Sequence, residues 1–430
     1  MLVLGIIFMV LTLLSPADVI PSLAPFRPML VITVIGLVAA FVGTVLQPQL
    51  LEMPQTLLMI GFYGVIISSQ PLHGWAGGSF YSAQSFGAAF VIFFLILASA
   101  KDVPRLRWVA TFVVVIALYY FVRVVMAYHF NIDAEKFMVW EWTEAFDPET
   151  GEQLKVPRVR GLGLLSDPND LGQLMLFSIA MIAMAYYKAP KLRKMMLIPL
   201  VTALFYTIYL TSSRGTIIGM AALIIAIMHD RMGKWGPFVG AGLTALLVLG
   251  LGFGGSRGFS TQTGSGGERL KMWSETLALI KSYPIFGVGF NNAMDYLWNT
   301  THNSYLLCFV ELGIFGYMFW MGILVVSFIQ LRAVMQLKDA GEQAQPVARA
   351  ARAIFFSFIA IVVSSFFLSR AYAFIFYVLL GLSAAVWRIA RDKFPDRIQP
   401  VLWPQLAWNT GVTMVGVIVL IYVMVRVHWA

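Results

Sequence analysis

Long uninterrupted runs of apolar residues follow one another along the whole chain, separated by shorter polar stretches. As helices, most of these runs are long enough to cross the ~30 Å hydrocarbon layer of a bilayer. Helices are favoured over a β-barrel because the runs are continuous, not alternating, and a helix pairs its own backbone groups in lipid. The pattern predicts an all-α polytopic membrane protein with about twelve or thirteen spans in one membrane domain, residues 1–430. The candidate spans are 2–20, 28–46, 54–69, 83–100, 107–127, 170–187, 195–212, 215–229, 236–254, 303–330, 352–369, 371–388 and 406–425.

Composition supports this class. The chain has 430 residues, of which 59% are hydrophobic and 12% are charged. A soluble domain of that size could not cover its surface with so few polar groups. The single cysteine, Cys308, excludes an internal disulfide and a cysteine zinc cluster, and its apolar surroundings indicate a packing role. The N-terminus has no basic region and no clear cleavage site, so we interpret it as a retained span.

The orientation follows from the distribution of charge. The loops KDVPRLR, KAPKLRK, HDRMGK and RIARDKFPDR, and the stretch from Arg332 to Arg352, fall on one side if the spans are right. The positive-inside rule assigns this side to the cytoplasm, which also accounts for the net charge of +9 without a nucleic-acid partner. The loops at roughly 128–169 and 255–302, and the turn TSSRG, then lie outside.

Five basic residues of the predicted external face lie at or near span ends. Planar guanidinium groups suit phosphate oxygens, and helix N-termini add oriented N–H groups. Several arginines converging there would form a site for a pyrophosphate headgroup. The external segments contain no D-x-D pair or histidine cluster, so we expect no metal and no cofactor. The residues are Arg158, Arg160, Arg214, Arg269 and His302.

Each of these features also has a structural interpretation. Arginines at span ends often extend to lipid phosphates without a specific role. Gly313 and Gly316 are typical of helix packing. Glu311 is costly in lipid, which favours a buried ion pair over catalysis. The acidic stretch from Asp133 to Glu152 is interpreted as a solvated loop. His302 differs from an ordinary structural histidine because it precedes a span end, beside the polar Asn303.

Four motifs, in order, resemble those of bacterial O-antigen ligases over roughly residues 155–320. The superfamily also includes repeat-unit polymerases and protein O-oligosaccharyltransferases, all of which use glycans carried on undecaprenyl pyrophosphate. The motifs are RG followed by DPN (Arg160, Gly161, Asp167, Pro168, Asn169), SRG (Ser213, Arg214, Gly215), R-x3-W followed by P-x-x-G-x-G (Arg269, Trp273, Pro284, Gly287, Gly289), and H-N-x9-G-x-x-G (His302, Asn303, Gly313, Gly316).

The resemblance implies metal-independent, inverting glycosyl transfer of the glycosyltransferase C type, on the periplasmic face of a bacterial inner membrane. Fixed guanidinium groups would stabilise the charge that grows on the pyrophosphate leaving group. A histidine with an ordinary pKa of ~6.5 would remove the proton of an acceptor hydroxyl. The expected catalytic residues are His302, Arg269 and Arg214. The expected substrate-binding residues are Arg160, Arg158, Asn303, Trp273, Gly287 and Gly289.

The acceptor and one other class of function stay open at this point. Lipid A core is the favoured acceptor, and another repeat unit or a protein hydroxyl are the alternatives. A transporter or flippase for a lipid-linked glycan is the alternative of another class. Such a protein should place ionisable groups near the middle of the bilayer, often between inverted repeats. Here the candidates cluster at one face, with Glu311 the main exception.

Overall fold

The computed structural model describes residues 1–146, 152–185, 195–250 and 265–429. Fourteen helices of 13 residues or more lie in these ranges. They are α1 (Leu2–Leu14), α2 (Pro28–Val45), α3 (Pro54–Leu72), α4 (Gly78–Ser99), α5 (Val103–Phe130), α6 (Pro168–Ala185), α7 (Leu197–Thr211), α8 (Arg214–Met232), α9 (Gly236–Gly250), α10 (Ser265–Ser282), α11 (Ser304–Met335), α12 (Gln345–Ser365), α13 (Phe374–Lys393) and α14 (Trp403–Trp429). Short helical turns cover Pro16–Val19, Pro21–Phe26, Pro48–Leu50, Ala134–Phe137, Gly163–Leu165, Gly233–Trp235, Ala293–Tyr296 and Gln336–Asp339.

The all-α polytopic class is confirmed, because each predicted span coincides with one of these helices. Within the described residues, eight segments are long and apolar enough to cross a membrane, and one of them joins α8 and α9. Twelve or thirteen spans were predicted. The number is lower here because α1, α3, α6 and α7 are not among the eight segments, and because α8 and α9 count as one segment. The helix α10 is additional and lies in the predicted external loop 255–302, of which residues 255–264 are outside the described ranges.

A β-hairpin occupies part of the predicted external loop 128–169. Strand β1 (Met138–Phe146) pairs antiparallel with β2 (Gln153–Val159), and Trp142 lies opposite Lys155. The acidic stretch from Asp133 to Glu152 was expected to be a solvated loop, but it contains the short helix Ala134–Phe137 and most of the hairpin, while its residues 147–151 are outside the described ranges. Trp140 and Trp142 of this strand are exposed, whereas Glu141 between them pairs with the buried Arg158.

The helix α13 forms the centre of the bundle and is almost entirely buried. It packs against α4, α11 and α12. Aromatic contacts fill the interior, as where the rings of Phe86 and Tyr377 meet edge to face at 4.8 Å. By contrast, α2 and α14 expose most of their apolar side chains. A helix that is apolar on its exposed side fits contact with lipid.

The predicted basic loops meet at one end of the bundle. The guanidinium of Arg388, at the end of α13, donates to the carbonyl of Leu97 at the end of α4 (2.8 Å). Arg391 pairs with Glu52 at 3.8 Å, a residue that lies just before α3. The KAPKLRK loop, residues 188–194, lies outside the described ranges. The described loops thus agree with the predicted parity of the spans.

The helix α11 contains the predicted span 303–330 and is broken at Gly313, a break that the sequence did not predict. Gly313 has φ 62° and ψ −164°, a conformation far from helical. The ring of Phe309 stacks on Tyr317 at 4.9 Å, and Tyr305 meets Trp320 at 5.2 Å. In a straight helix, residues 305 and 320 would be about 22 Å apart along the axis. Segment 304–312 therefore folds back on segment 314–335, whose length of about 33 Å still suffices for a span.

The end of the bundle opposite the basic loops should face the periplasm. We expect a cysteine at Glu152, which is exposed beside β2, to react with an impermeant thiol reagent in intact spheroplasts. A cysteine at the exposed Lys338, after α11, should react only after lysis. Both changes are made in a Cys308→Ala background, which by itself should give no label. Labelling of the Lys338 variant alone in intact cells would reverse the orientation.

Candidate functional site

His302 lies in a rigid turn immediately before α11. Its φ of 47° is in the left-handed region, which is uncommon for residues other than glycine. The hydroxyl of Thr301 donates to the carbonyl of Asn303 at 2.9 Å, across the turn. The side-chain oxygen of Asn303 accepts from the N–H groups of Tyr305 and Leu306 at 2.9 and 3.0 Å. Asn303 is therefore the N-cap of α11, and it fixes the position of the preceding histidine.

The helix α10 is fastened to this turn through Trp273. The indole N–H donates to the carbonyl of Thr301 at 2.9 Å, and the ring packs edge to face on Phe366 at 5.5 Å. Arg269 lies four residues before Trp273, on the same side of the helix. It is near enough to His302 for its charge to influence the imidazole. The spacing R-x3-W thus places a cation beside the histidine.

Arg370 is a site residue that the sequence reasoning missed. Its guanidinium pairs with the carboxylates of Asp170 (2.7 Å) and Asp167. Its backbone N–H donates to the hydroxyl of Ser304 at 2.8 Å, which joins it to the first residue of α11. Burial alone would raise the pKa of Asp167, but the Arg370 guanidinium lowers it below its ordinary value. The predicted spans 352–369 and 371–388 already placed Arg370 in a turn on the external side. This position was the sequence feature that could have identified it as a site residue.

The ring of His302 is neutral at neutral pH. Burial, followed by the charges of Arg269 and Arg370, lowers the pKa of His302 to about 4. The carboxylates of Asp167 and Glu141 oppose this shift and do not outweigh it. No hydrogen bond to either ring nitrogen occurs within the described part of the chain. The expected pKa of ~6.5 is thus corrected downward, and the ring nitrogens face no competing protein partner in these residues.

The DPN and SRG motifs meet at the same end of the bundle. The hydroxyl of Ser213 donates to the side-chain oxygen of Asn169 at 2.6 Å. Ser213 is also the N-cap of α8, where its hydroxyl oxygen accepts from the N–H of Thr216 at 3.3 Å. Arg214 is consequently the first residue of α8, at a helix N-terminus that favours anions.

Arg158 and Arg160 make contacts inside the protein. Arg158 is buried, and it donates to the carbonyl of Thr211 (2.8 Å) and to the carboxylate of Glu141 (2.6 Å). Arg160 donates to the carbonyls of Glu135 and Lys136 at 3.2 and 3.3 Å. These contacts attach the hairpin to the end of α7 and to the short helix Ala134–Phe137 that follows α5. The structure brings Arg269 and Arg370 to His302, whereas Arg158 and Arg160 hold the hairpin in place.

The two glycine motifs form a single backbone junction. Val288 and Gly289 donate their N–H groups to the carbonyls of Val310 and Glu311, at 2.8 and 2.9 Å, and Ile314 donates to the carbonyl of Pro284 at 2.9 Å. A Cβ at Gly287 would lie 2.4 Å from the carbonyl of Glu311. The junction replaces the helical hydrogen bonds that the break in α11 removes. Gly287 and Gly289 therefore lie against the broken helix.

Glu311 has neutral partners. Its carboxylate lies beside the hydroxyl of Tyr372 and the backbone N–H groups of Asn291 and Ala293. The ion pairs seen in the described residues do not include Glu311. The expected buried ion pair is therefore not found in the described residues, where Glu311 lies beside neutral groups and its Oε2 atom has no hydrogen-bond partner.

An apolar groove of about 530 Å³ opens beneath the site, between α11, α12 and α14. Tyr305 lies at its end nearest His302, and Phe328, Phe358 and Trp408 line its walls. A groove between helices with an apolar lining suits a long hydrocarbon chain. No group of three potential metal ligands occurs in the described ranges.

The fold and site define a polytopic helical membrane protein with a charged site at one end of its bundle. Residues 198–321, from α7 into the spanning part of α11, match the family model described as O-antigen ligase. The match covers less than a third of the chain, and it supports the resemblance to the O-antigen ligase superfamily found in the motifs. It supports a glycosyltransferase of the O-antigen ligase and polymerase type. A comparison with curated proteins gave no match.

The junction predicts that Gly313→Ala destabilises the protein. Its φ and ψ lie in a region that is essentially restricted to glycine, and an added Cβ would lie 2.1 Å from the carbonyl oxygen of Ile285. We expect a loss of about 1–3 kcal/mol from the backbone strain alone, measured by thermal unfolding in detergent. Gly64→Ala in α3 is the control, because a Cβ there meets nothing within 4 Å. Equal stability of the two variants would contradict the role of Gly313.

Proposed function

We propose that the protein transfers a glycan from undecaprenyl pyrophosphate to an acceptor hydroxyl at the periplasmic face of the inner membrane. The observation that carries the proposal is His302, neutral and next to Arg269 and Arg370, within a region that matches the family model described as O-antigen ligase. Lipid A core is the proposed acceptor, so the product would be a lipopolysaccharide. A repeat-unit polymerase or a protein O-oligosaccharyltransferase would use the same chemistry with another acceptor.

In the proposed step, a ring nitrogen of His302 takes the proton of the acceptor hydroxyl. The acceptor oxygen forms a bond to the anomeric carbon while the bond from that carbon to the pyrophosphate oxygen breaks. The electron pair of this bond remains on the pyrophosphate, whose negative charge increases. Attack from the opposite face inverts the anomeric centre. No metal takes part in this scheme.

Arg269 and Arg214 are the proposed groups that stabilise the growing charge. Arg269 is held beside His302 by α10, and Arg214 begins α8 at an N-terminus that adds oriented N–H groups. Arg370 is partly neutralised by Asp167 and Asp170, so we propose that it shapes the electrostatic field around His302. The prenyl chain of the donor would lie in the groove that ends at Tyr305.

The remaining motif residues are proposed to position this site. Trp273 and Asn303 hold the turn of His302, and Gly287 and Gly289 allow the junction with α11. Arg158 and Arg160 hold the hairpin, because their donors face protein carbonyls and Glu141. These contacts favour an indirect part in substrate binding.

The distribution of charge favours a transferase over a flippase. Arg269, His302 and Arg370 lie together at one end of the bundle, and Glu311 lies close to the break in α11. A transporter needs ionisable groups accessible near the middle of the bilayer. The concentration of polar groups at one end suits chemistry at a membrane surface.

If His302 is the general base, His302→Ala should lower transfer by about 10²–10⁴-fold and leave donor binding intact. Because its pKa is about 4 in the free protein, kcat/KM should fall only as the pH drops towards 4. Bound pyrophosphate offsets the charges of Arg269 and Arg370 and should raise this pKa, so kcat should fall at a higher pH than kcat/KM. Reconstituted transfer assays over a range of pH measure both profiles.

His302→Gln is the matched test of a purely structural role. Glutamine has a similar size and keeps a hydrogen-bonding group, but its amide cannot act as a base near neutral pH. Near-normal turnover of this variant with an unchanged pH profile would remove the general-base role.

Arg269→Lys and Arg214→Lys should restore only part of the activity that the alanine variants lose. Removing one group that stabilises transition-state charge typically costs about 10²–10³-fold in rate. A lysine supplies a point charge but no bidentate fork. Arg349→Lys is the control, because Arg349 lies near the start of α12, at the end of the bundle away from His302. This variant shows whether replacing an arginine by lysine lowers activity in general. Full activity of both lysine variants would show that charge alone suffices.

A further inference from the structure

A second apolar groove runs between α10 and α14 and encloses about 550 Å³. Leu277, Ala278 and Ile280 of α10 form one wall, and Ile418 and Val425 of α14 contribute to the other. It is separate from the groove that ends at Tyr305, which involves an earlier part of α14 (Trp408 to Val417).

Two cations lie at the end of this groove. Lys281 and Arg426 both line it, and each lies in the last turn or near the end of its helix. The ε-nitrogen of Arg426 donates to the hydroxyl of Tyr422 at 2.9 Å, which holds the guanidinium against that ring. Among the described residues, neither cation has a carboxylate within 4 Å. The groove thus combines an apolar lining with a positively charged mouth.

The position of this mouth separates it from the proposed site of transfer. Lys281 lies twelve residues after Arg269 on α10, or about 18 Å along the helix axis. A pyrophosphate held beside Arg269 could not also contact Lys281. This separation favours a lipid other than the donor in the groove.

We propose that the groove between α10 and α14 binds an anionic phospholipid of the bilayer. Its acyl chain would lie along Leu277 and Ile418, and its phosphate would contact Lys281 and Arg426. The charges are complementary, and phosphate oxygens accept charge-assisted hydrogen bonds from both cations. Such a lipid would bridge α10, which carries Arg269 and Trp273, to α14.

The test uses a photoactivatable phosphatidylglycerol with the reactive group in its acyl chain. The full-length protein is reconstituted in phosphatidylcholine nanodiscs with a small fraction of this probe, and labelled peptides are mapped by mass spectrometry. We expect labels on residues 277–281 and 418–426. Lys281→Gln with Arg426→Gln should reduce labelling at least tenfold. Ala278→Trp, which fills the groove and keeps both charges, should do the same.

Four comparisons decide the outcome. Lys271→Gln removes a charge from the same helix and should leave the labelling unchanged. The Nζ atom of Lys271 lies over the ring of Trp298, 5.9 Å from its centre. Equal labelling by a phosphatidylcholine probe, or labelling that survives Ala278→Trp, would mean non-specific contact with the membrane and overturn the proposal. Displacement of the probe by undecaprenyl pyrophosphate, but not by phosphatidylglycerol, would assign the groove to the donor. None of these measurements depends on transfer activity.

Discussion

The arrangement of the site depends on one backbone junction. At Gly313 the helix α11 leaves its helical path, and the carbonyls of Val310 and Glu311 bind the N–H groups of Val288 and Gly289 instead. A buried backbone group left without a partner would cost about 1–3 kcal/mol, so the break exists only because loop 284–289 supplies these partners. Segment 304–312 folds back as a result, and it determines where Asn303 and the preceding His302 lie.

Electrostatics around His302 follow from how the charges are paired. Arg370 is shared between Asp167 and Asp170, which keeps a buried guanidinium compensated. The positive field at the imidazole still exceeds the negative one, and together with burial it lowers the pKa of His302 to about 4. A pyrophosphate would find a cationic region and a neutral histidine together. The same ligand, once bound, would make the histidine a stronger base.

The helices differ in how much of their surface is buried inside the protein. Those at the centre, such as α13, build the packed core, while α14 leaves most of its surface to lipid. Helix α14 packs against α10 and α11, and two apolar grooves lie along it, one ending below His302 and one ending at Lys281 and Arg426. A membrane protein that acts on lipid-linked substrates needs such openings, because its ligands arrive laterally from the hydrocarbon layer.

The sequence by itself determined the class, the spans and the polar end of the bundle. Continuous apolar runs and basic loops are local properties, and the helices coincide with the predicted spans for that reason. The motifs likewise pointed to His302 and Arg269. The β-hairpin was not predicted. The break at Gly313 was not predicted either, because a glycine in an apolar run has the same sequence pattern whether it packs against another helix or breaks its own.

Only the tertiary structure decided which charged residues meet. Arg370 comes next to His302 through contacts between α6, α11 and the turn before α13, which are distant in sequence. Arg158, which is predicted to bind substrate, is buried against Thr211 and Glu141, a contact that the sequence could not show. The low pKa of His302 has the same origin, since burial and neighbouring charge depend on the packing of separate helices and not on local sequence.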